Sequence, residues 1–225
     1  MHPRRAGARF SLSKELLDLG EVQNDGDAKF QGCGCCAITR FHLGDFGTAR
    51  TYAERALALY DPAYPSLATW PVHFQSFAGM FAFRSLTYLG FLDRARQCRE
   101  EHMALARQRN HAHTLAMLLG TSLACDVHMH HDPATLVTSV DDLVALCAEH
   151  SLPYWAGVAT MLRGWCLSGL GHSDEAIPLM TAALTDYRAT GSVTVVPMFL
   201  TEIAEVLCKA RRTHEGLEKL DEAIR

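Results

Sequence analysis

The stretch LRGWCLSGLGHSDEAIPLM, residues 162–180, decides the fold. Its apolar residues recur at three and four spacing as far as Leu170, Gly171 breaks the pattern, and Ser173-Asp174-Glu175 leads into a second apolar run. Acidic residues suit the opening turn of a helix, where the dipole is positive, so the stretch reads as helix, glycine turn, helix. It holds no catalyst, because a nucleophile elbow built on Ser173 needs glycine where Glu175 stands. What it does hold is Gly164 inside the first run and Ala176 inside the second. A glycine in mid-helix costs about 1 kcal/mol relative to alanine, and close packing is its best explanation. Helix axes reach the short end of their usual separation of about 8–10 Å where both helices present side chains no larger than alanine. Gly164 and Ala176 are therefore predicted to sit at the crossing of an antiparallel pair, with Ala183 facing the next pair.

The arrangement repeats. Breaks at Gly44, Gly90, His131, Gly171 and Arg211 are 46, 41, 40 and 40 residues apart, a spacing in the range of helical-repeat proteins. Seven residues before each break stand Ala37, Phe83, Ala124, Gly164 and Ala204. Five after stand Ala49, Ala95, Leu136, Ala176 and Gly216, and twelve after stand Ala56, His102, Leu143, Ala183 and Ala223. Small residues dominate all three sets, least in the third unit. Alternation with period two is nearly absent, so the chain is predicted to be all-α.

Composition narrows the function. Apolar residues make up 48% of the chain and charged residues 20%, as in a globular rather than a disordered protein. Even the long apolar run from Val193 to Leu207 carries Thr201, Glu202 and Glu205, so no segment reads as a membrane span. The start, MHPRRAGARF, lacks the apolar stretch of a secretory signal, and a cytoplasmic location is expected. The net charge is −4, and four of the 21 basic residues are lysine, with no basic stripe for nucleic acid. Five of the eight cysteines, Cys98, Cys125, Cys147, Cys166 and Cys208, stand singly in helical patterns and read as small buried hydrophobes.

Small, break, small, small at these offsets, with the aromatic Phe46 two residues after Gly44, resembles the tetratricopeptide pattern, best in GDFGTARTYAERALALYDP at 44–62. The enlarged units are similar to those of maltose-regulator-type signalling ATPases. Residues 56–62 (ALALYDP), 152–165 (LPYWAGVATMLRGW) and 215–224 (EGLEKLDEAI) further resemble the C-terminal helical region of large bacterial class III adenylate cyclase-like proteins that carry an AAA-type ATPase. The family's chemistry does not carry over. Lys14, Lys29, Lys209 and Lys219 all lack the preceding glycine of a nucleotide-binding loop, and no βαβ pattern is present for a cyclase. The resemblance implies the regulatory end of such a protein without its engine, and a chain ending two residues after Ala223 suggests a fragment.

Two clusters suggest other chemistry. Cys33, Cys35 and Cys36 could meet a soft metal or a redox partner, but they lack the paired spacing of a structural zinc site, and adjacent helical residues point about 100° apart. Small residues at a tight crossing are the preferred explanation, with the cost of Gly32 and Gly34 left open. His128 and His131 share a helical face in HMHHD, which also suits a polar helix end. His214-Glu215 lacks the second histidine of a zinc hydrolase motif.

The expected architecture is a right-handed α-solenoid of antiparallel hairpins, with enlarged repeats of about 40 residues. It forms a single domain over residues 1–225, with residues 1–10 disordered, an extra helix from about Leu12 to Val22, and about five hairpins from residue 28 onward, the last truncated. The expected function is non-catalytic: a protein-interaction and regulatory module without cofactor or metal, bound to a protein or peptide, a cyclase or ATPase module among the candidates. Nucleic acid and membrane are not expected partners. The alternatives are the ligand-sensing repeat domain of a transcription activator and a metal or redox protein built on the cysteine and histidine clusters. By the tetratricopeptide resemblance, the inward-facing positions lie ten, six and three residues before each break. That selects Met80, Arg84 and Thr87, then Thr121, Cys125 and His128, then Met161, Trp165 and Ser168 as the concave binding face.

Overall fold

The computed structural model of the chain describes residues 3–64 and 71–225. Among them every regular element is a helix: α1 (Pro3–Gln23), α2 (Gly26–His42), α3 (Phe46–Leu59), α4 (Phe74–Tyr88), α5 (Leu92–Gln108), α6 (Ala112–His128), α7 (Pro133–Glu149), α8 (Pro153–Gly169), α9 (Ser173–Ala189), α10 (Val196–Lys209) and α11 (Thr213–Ile224). None is long and apolar enough to cross a membrane. After α1 the helices form five hairpins, α2/α3 through α10/α11, and the chain divides into two compact units, residues 1–118 and 119–225, with the boundary inside α6. The leading helix starts at Pro3, earlier than the expected Leu12. The disorder expected of residues 1–10 lies outside the described residues at positions 1 and 2.

Each hairpin turn has the same geometry. A residue in the left-handed region follows the first helix: Gly44 (φ 78°), Gly90 (82°), His130 (54°), Gly171 (94°) and Arg211 (61°). The next amide then reaches back five residues to a helix carbonyl, as in Asp45 to Arg40 at 3.0 Å, Phe91 to Leu86 at 2.9 Å and Arg212 to Leu207 at 2.8 Å. That bond satisfies a carbonyl the helix end would leave open. Glycine enters the left-handed region without a Cβ penalty, which is why three of the five turns were visible as glycines. In the third hairpin the left-handed residue is His130, one position before the expected break at His131. Side-chain caps start several helices: Asp25 accepts from the Asp27 and Ala28 amides, Asp45 from Thr48 and Asp132 from Ala134.

In the first unit, α1 lies against α2 through glycines. A methyl group on Gly32 would come within 2.7 Å of the Leu17 backbone nitrogen, and one on Gly20 within 2.8 Å of the Lys29 nitrogen. A methyl on Gly34 would collide with the Phe74 ring. The CGCC segment is thus hemmed in on two sides, which accounts for both glycines. Phe30 and Phe74 meet edge to face, with centroids 4.8 Å apart, in a core completed by Leu17, Cys33, Ala56 and Ala78.

In the second unit, a methyl on Gly164 would strike Met180 Cγ and lie 3.4 Å from the Ala176 carbonyl oxygen. One on Gly216 would lie 3.1 Å from the Ala204 carbonyl. Both helices of the fourth and fifth hairpins therefore approach backbone to side chain at the small positions. Tyr187, fully buried, packs its ring at a tilt against Phe199, centroids 5.0 Å apart, and shares a 2.8 Å hydrogen bond between its hydroxyl and Ser192 Oγ. Of the small repeat positions, Ala37, Ala49, Ala56, Ala95, Ala124, Ala176, Ala183 and Ala204 are buried, and Ala223 is half-exposed.

Candidate functional site

Of the nine residues expected to line a binding face, Met80, Thr121, Cys125, Met161, Trp165 and Ser168 are buried, whereas Arg84, Thr87 and His128 are half-exposed. The buried six can serve a ligand only from behind the surface. Arg84 lies with its guanidinium carbon 4.2 Å from the Phe41 ring centroid and 5.8 Å from that of Phe81, a cation–π clamp within the first unit. The Thr87 hydroxyl donates to the Phe83 carbonyl at 2.9 Å, and Ser168 shares a 3.1 Å hydrogen bond with Ser173.

His128 is different. It ends α6 on the wall of a cleft of about 350 Å³ in the second unit, lined by Val127, His128 and His130 from the α6 end and by Met198, Thr201, Glu202 and Glu205 from α10. That volume lies within the range of small-ligand and side-chain pockets. The two acids behave differently. Glu205 is engaged: its Oε1 lies 2.7 Å from Lys209 Nζ, and its Oε2 accepts from Trp165 Nε1 at 3.5 Å. Lys209 Nζ in turn sits 5.5 Å from the Trp165 ring centroid. Trp165 thus finds its indole acceptor, the condition a buried tryptophan imposes.

Glu202 is 4% exposed, and neither carboxylate oxygen accepts a well-formed hydrogen bond. His128 Nε2 stands 3.5 Å from Oε1, near enough to attract but at the outer limit of a hydrogen bond. Burial pushes the Glu202 carboxyl up from its ordinary range, against the opposing pull of His128. With Glu202 and Glu205 on its wall beside His128 and His130, the cleft is suited to groups that donate hydrogen bonds.

The remaining candidate clusters separate. His128 faces Glu202, while His131 Nδ1 lies 3.5 Å from Asp126, so the two histidines serve different carboxylates. No three His, Cys, Asp or Glu side chains among the described residues are grouped to hold a metal ion. All eight cysteines are free thiols; burial pushes Cys33 up to about 11 and Cys36 up to about 12. Burial thus disfavours the thiolate form of both.

Sequence reasoning missed Thr201, Glu202 and Glu205. The offsets of ten and six residues before Arg211 name Thr201 and Glu205, had they been carried into the fifth hairpin. Glu202 was visible as a charge within the apolar run from Val193 to Leu207.

No family model and no curated protein matches the chain. Among solved structures it is similar to a Rap protein crystallised in complex with competence and sporulation factor, at a TM-score of 0.67 and 15% identity, over 95% of this chain and 71% of that one. At that identity the likeness concerns the fold, and the fold is an all-α repeat of antiparallel helical hairpins.

Proposed function

We propose that this chain is a non-catalytic regulatory module that docks a peptide segment, with the α6/α10 cleft as part of the docking surface. The observation that carries the reading is the cleft itself: a concave, partly apolar pocket on the first helices of two hairpins, with polar groups converging from both sides. The solved neighbour is described in complex with competence and sporulation factor, which supports a search among peptides first. Repeat hairpins favour such use, since each adds a rung to an extended recognition surface. The likeness of residues 152–165 to the helical region of cyclase/ATPase proteins adds one protein partner to test, a segment of such a module.

The experiment is an array of acetylated, amidated random pentapeptides probed with the full chain and with a Thr201→Trp variant. Thr201 is exposed on the cleft wall, so the indole fills the cleft while the fold stays intact. Retention of a defined peptide subset by the wild type, lost in Thr201→Trp at an unchanged melting temperature, is the expected result. An array that retains nothing, or the same peptides with both proteins, contradicts the reading.

A further inference from the structure

A buried carboxylate whose nearest partner, His128, stands at 3.5 Å is costly, and packing does not require one at position 202. The residues at the same distance before the other four breaks are Cys35, Phe81, Ser122 and Leu162, apolar or small throughout. Glu202 alone among the five brings a charge to this position, and it does so on the wall of the cleft. The other acid there, Glu205, is paired with Lys209, whereas Glu202 faces the His128 ring at 3.5 Å. An anion is repelled by this arrangement, and the described residues supply no third ligand for a metal ion. What the site lacks is an organic cation with several N–H donors.

The shape of the vacancy favours a guanidinium. Both Glu202 oxygens are shielded from solvent, with His128 Nε2 3.5 Å from Oε1; a planar guanidinium donates two parallel N–H groups to a carboxylate, whereas an ammonium acts as a single point charge. The cleft offers Met198 and Val127 to cover an aliphatic stem. His128 lies over Oε1, half-exposed, at the last residue of α6, and its ring turns away about its own side-chain torsions without disturbing the helix.

We infer that the cleft takes the arginine side chain of a docked peptide, whose guanidinium displaces the His128 ring and pairs with Glu202. The inference rests on the peptide-docking reading above and names the group recognised at that site.

The test is a titration of the full chain with Nα-acetyl-L-arginine amide, followed through its backbone amides by NMR, beside the neutral isostere Nα-acetyl-L-citrulline amide. Saturable shifts at residues 127–130 and 198–205 are expected with arginine, with affinity for citrulline weaker by about tenfold or more. Glu202→Gln should abolish that preference while the rest of the spectrum is unchanged, and His128→Ala should tighten arginine binding by opening the carboxylate. Equal binding of the two probes, no saturable shift with arginine, or a preference that survives in Glu202→Gln overturns the inference. The pentapeptide array separates this failure from that of the broader reading. Peptides retained without regard to arginine leave docking standing and remove the guanidinium site; an arginine probe that still shifts the cleft when no peptide is retained does the reverse.

Discussion

The second and fourth hairpins differ in where they place the large and the small side chain. Twelve residues after the turn, the second hairpin carries His102 and the fourth Ala183; eleven before it, the second carries Gly79 and the fourth Thr160. A methyl group on Gly79 would fall on the His102 imidazole, so the glycine is the cup into which that ring fits. In the third hairpin a methyl on Gly120 would meet the Trp155 ring at 3.0 Å and Leu143 at 3.6 Å. By the same index the first and fifth follow the fourth, with Cys33 and Ala56, and Leu200 and Ala223, at the two positions. Across the repeat a small residue at one of the two positions goes with a larger one at the other, and in the second hairpin the two are in direct contact, as close packing requires. His102, an exception to the small-residue pattern when read alone, is regular once its partner is seen.

The exchange makes the two hairpins respond differently to the same change. Gly79→Ala drives a methyl group into a rigid buried ring and is expected to destabilise the chain by about 2 kcal/mol, measured by denaturant unfolding. Combining it with His102→Ala should recover part of that loss, with a coupling of about 1 kcal/mol or more. Strict additivity of the two substitutions would break the comparison. Gly164→Ala is expected to cost less, staying within about 1 kcal/mol of wild type. There the added methyl meets the flexible Met180 side chain, and alanine's better helix propensity offsets part of the strain. A loss at Gly164 exceeding that at Gly79 would show that backbone approach to Ala176, rather than the filling side chain, sets the cost.

The smallest expected effects are on pH dependence, and they have opposite signs in the two units. Burial lowers the pKa of His102 below the ordinary 6.5, so the unfolded chain takes up the proton first. Stability held above that value is then lost as pH falls below it. Burial raises the pKa of Glu202 above the ordinary 4.5, so the folded chain holds its proton longer, and stability is lost as pH rises from 4.5 through the raised value. His102→Met should therefore soften the acid-side loss, in part only, because His73 and His113 are shifted in the same direction. Glu202→Gln should remove the loss on the other side and raise the melting temperature at neutral pH. Parallel pH profiles for wild type and both variants would contradict the assigned burial of these groups.

Much of the fold was legible because turns and crossings leave single-residue marks. Gly44, Gly90 and Gly171 announce left-handed turns, and Arg211 falls at one by register alone. The third turn was misplaced by one residue because His130 takes the left-handed conformation without glycine to mark it. The CGCC segment was read as a tight crossing, yet its neighbours, Leu17 and Phe74, lie on other helices that no local pattern reveals. The binding face was the least legible part. Offsets borrowed from shorter repeats drift in phase over longer helices, and Met161 and Trp165, expected on the binding face, are buried. Glu202 escaped notice for a different reason: a charge in an apolar run argues against a membrane helix, and the same residue's burial beside His128 appears only when α6 and α10 are brought together.

The most direct test of the account is hydrogen exchange of the full chain with and without the pentapeptide most strongly retained on the array. Docking at the cleft predicts added protection of amides near residues 127–130 and 198–205, lost in Thr201→Trp. Protection confined elsewhere, such as around the exposed Leu217 and Ile224 of α11, with no change at the cleft, would contradict it.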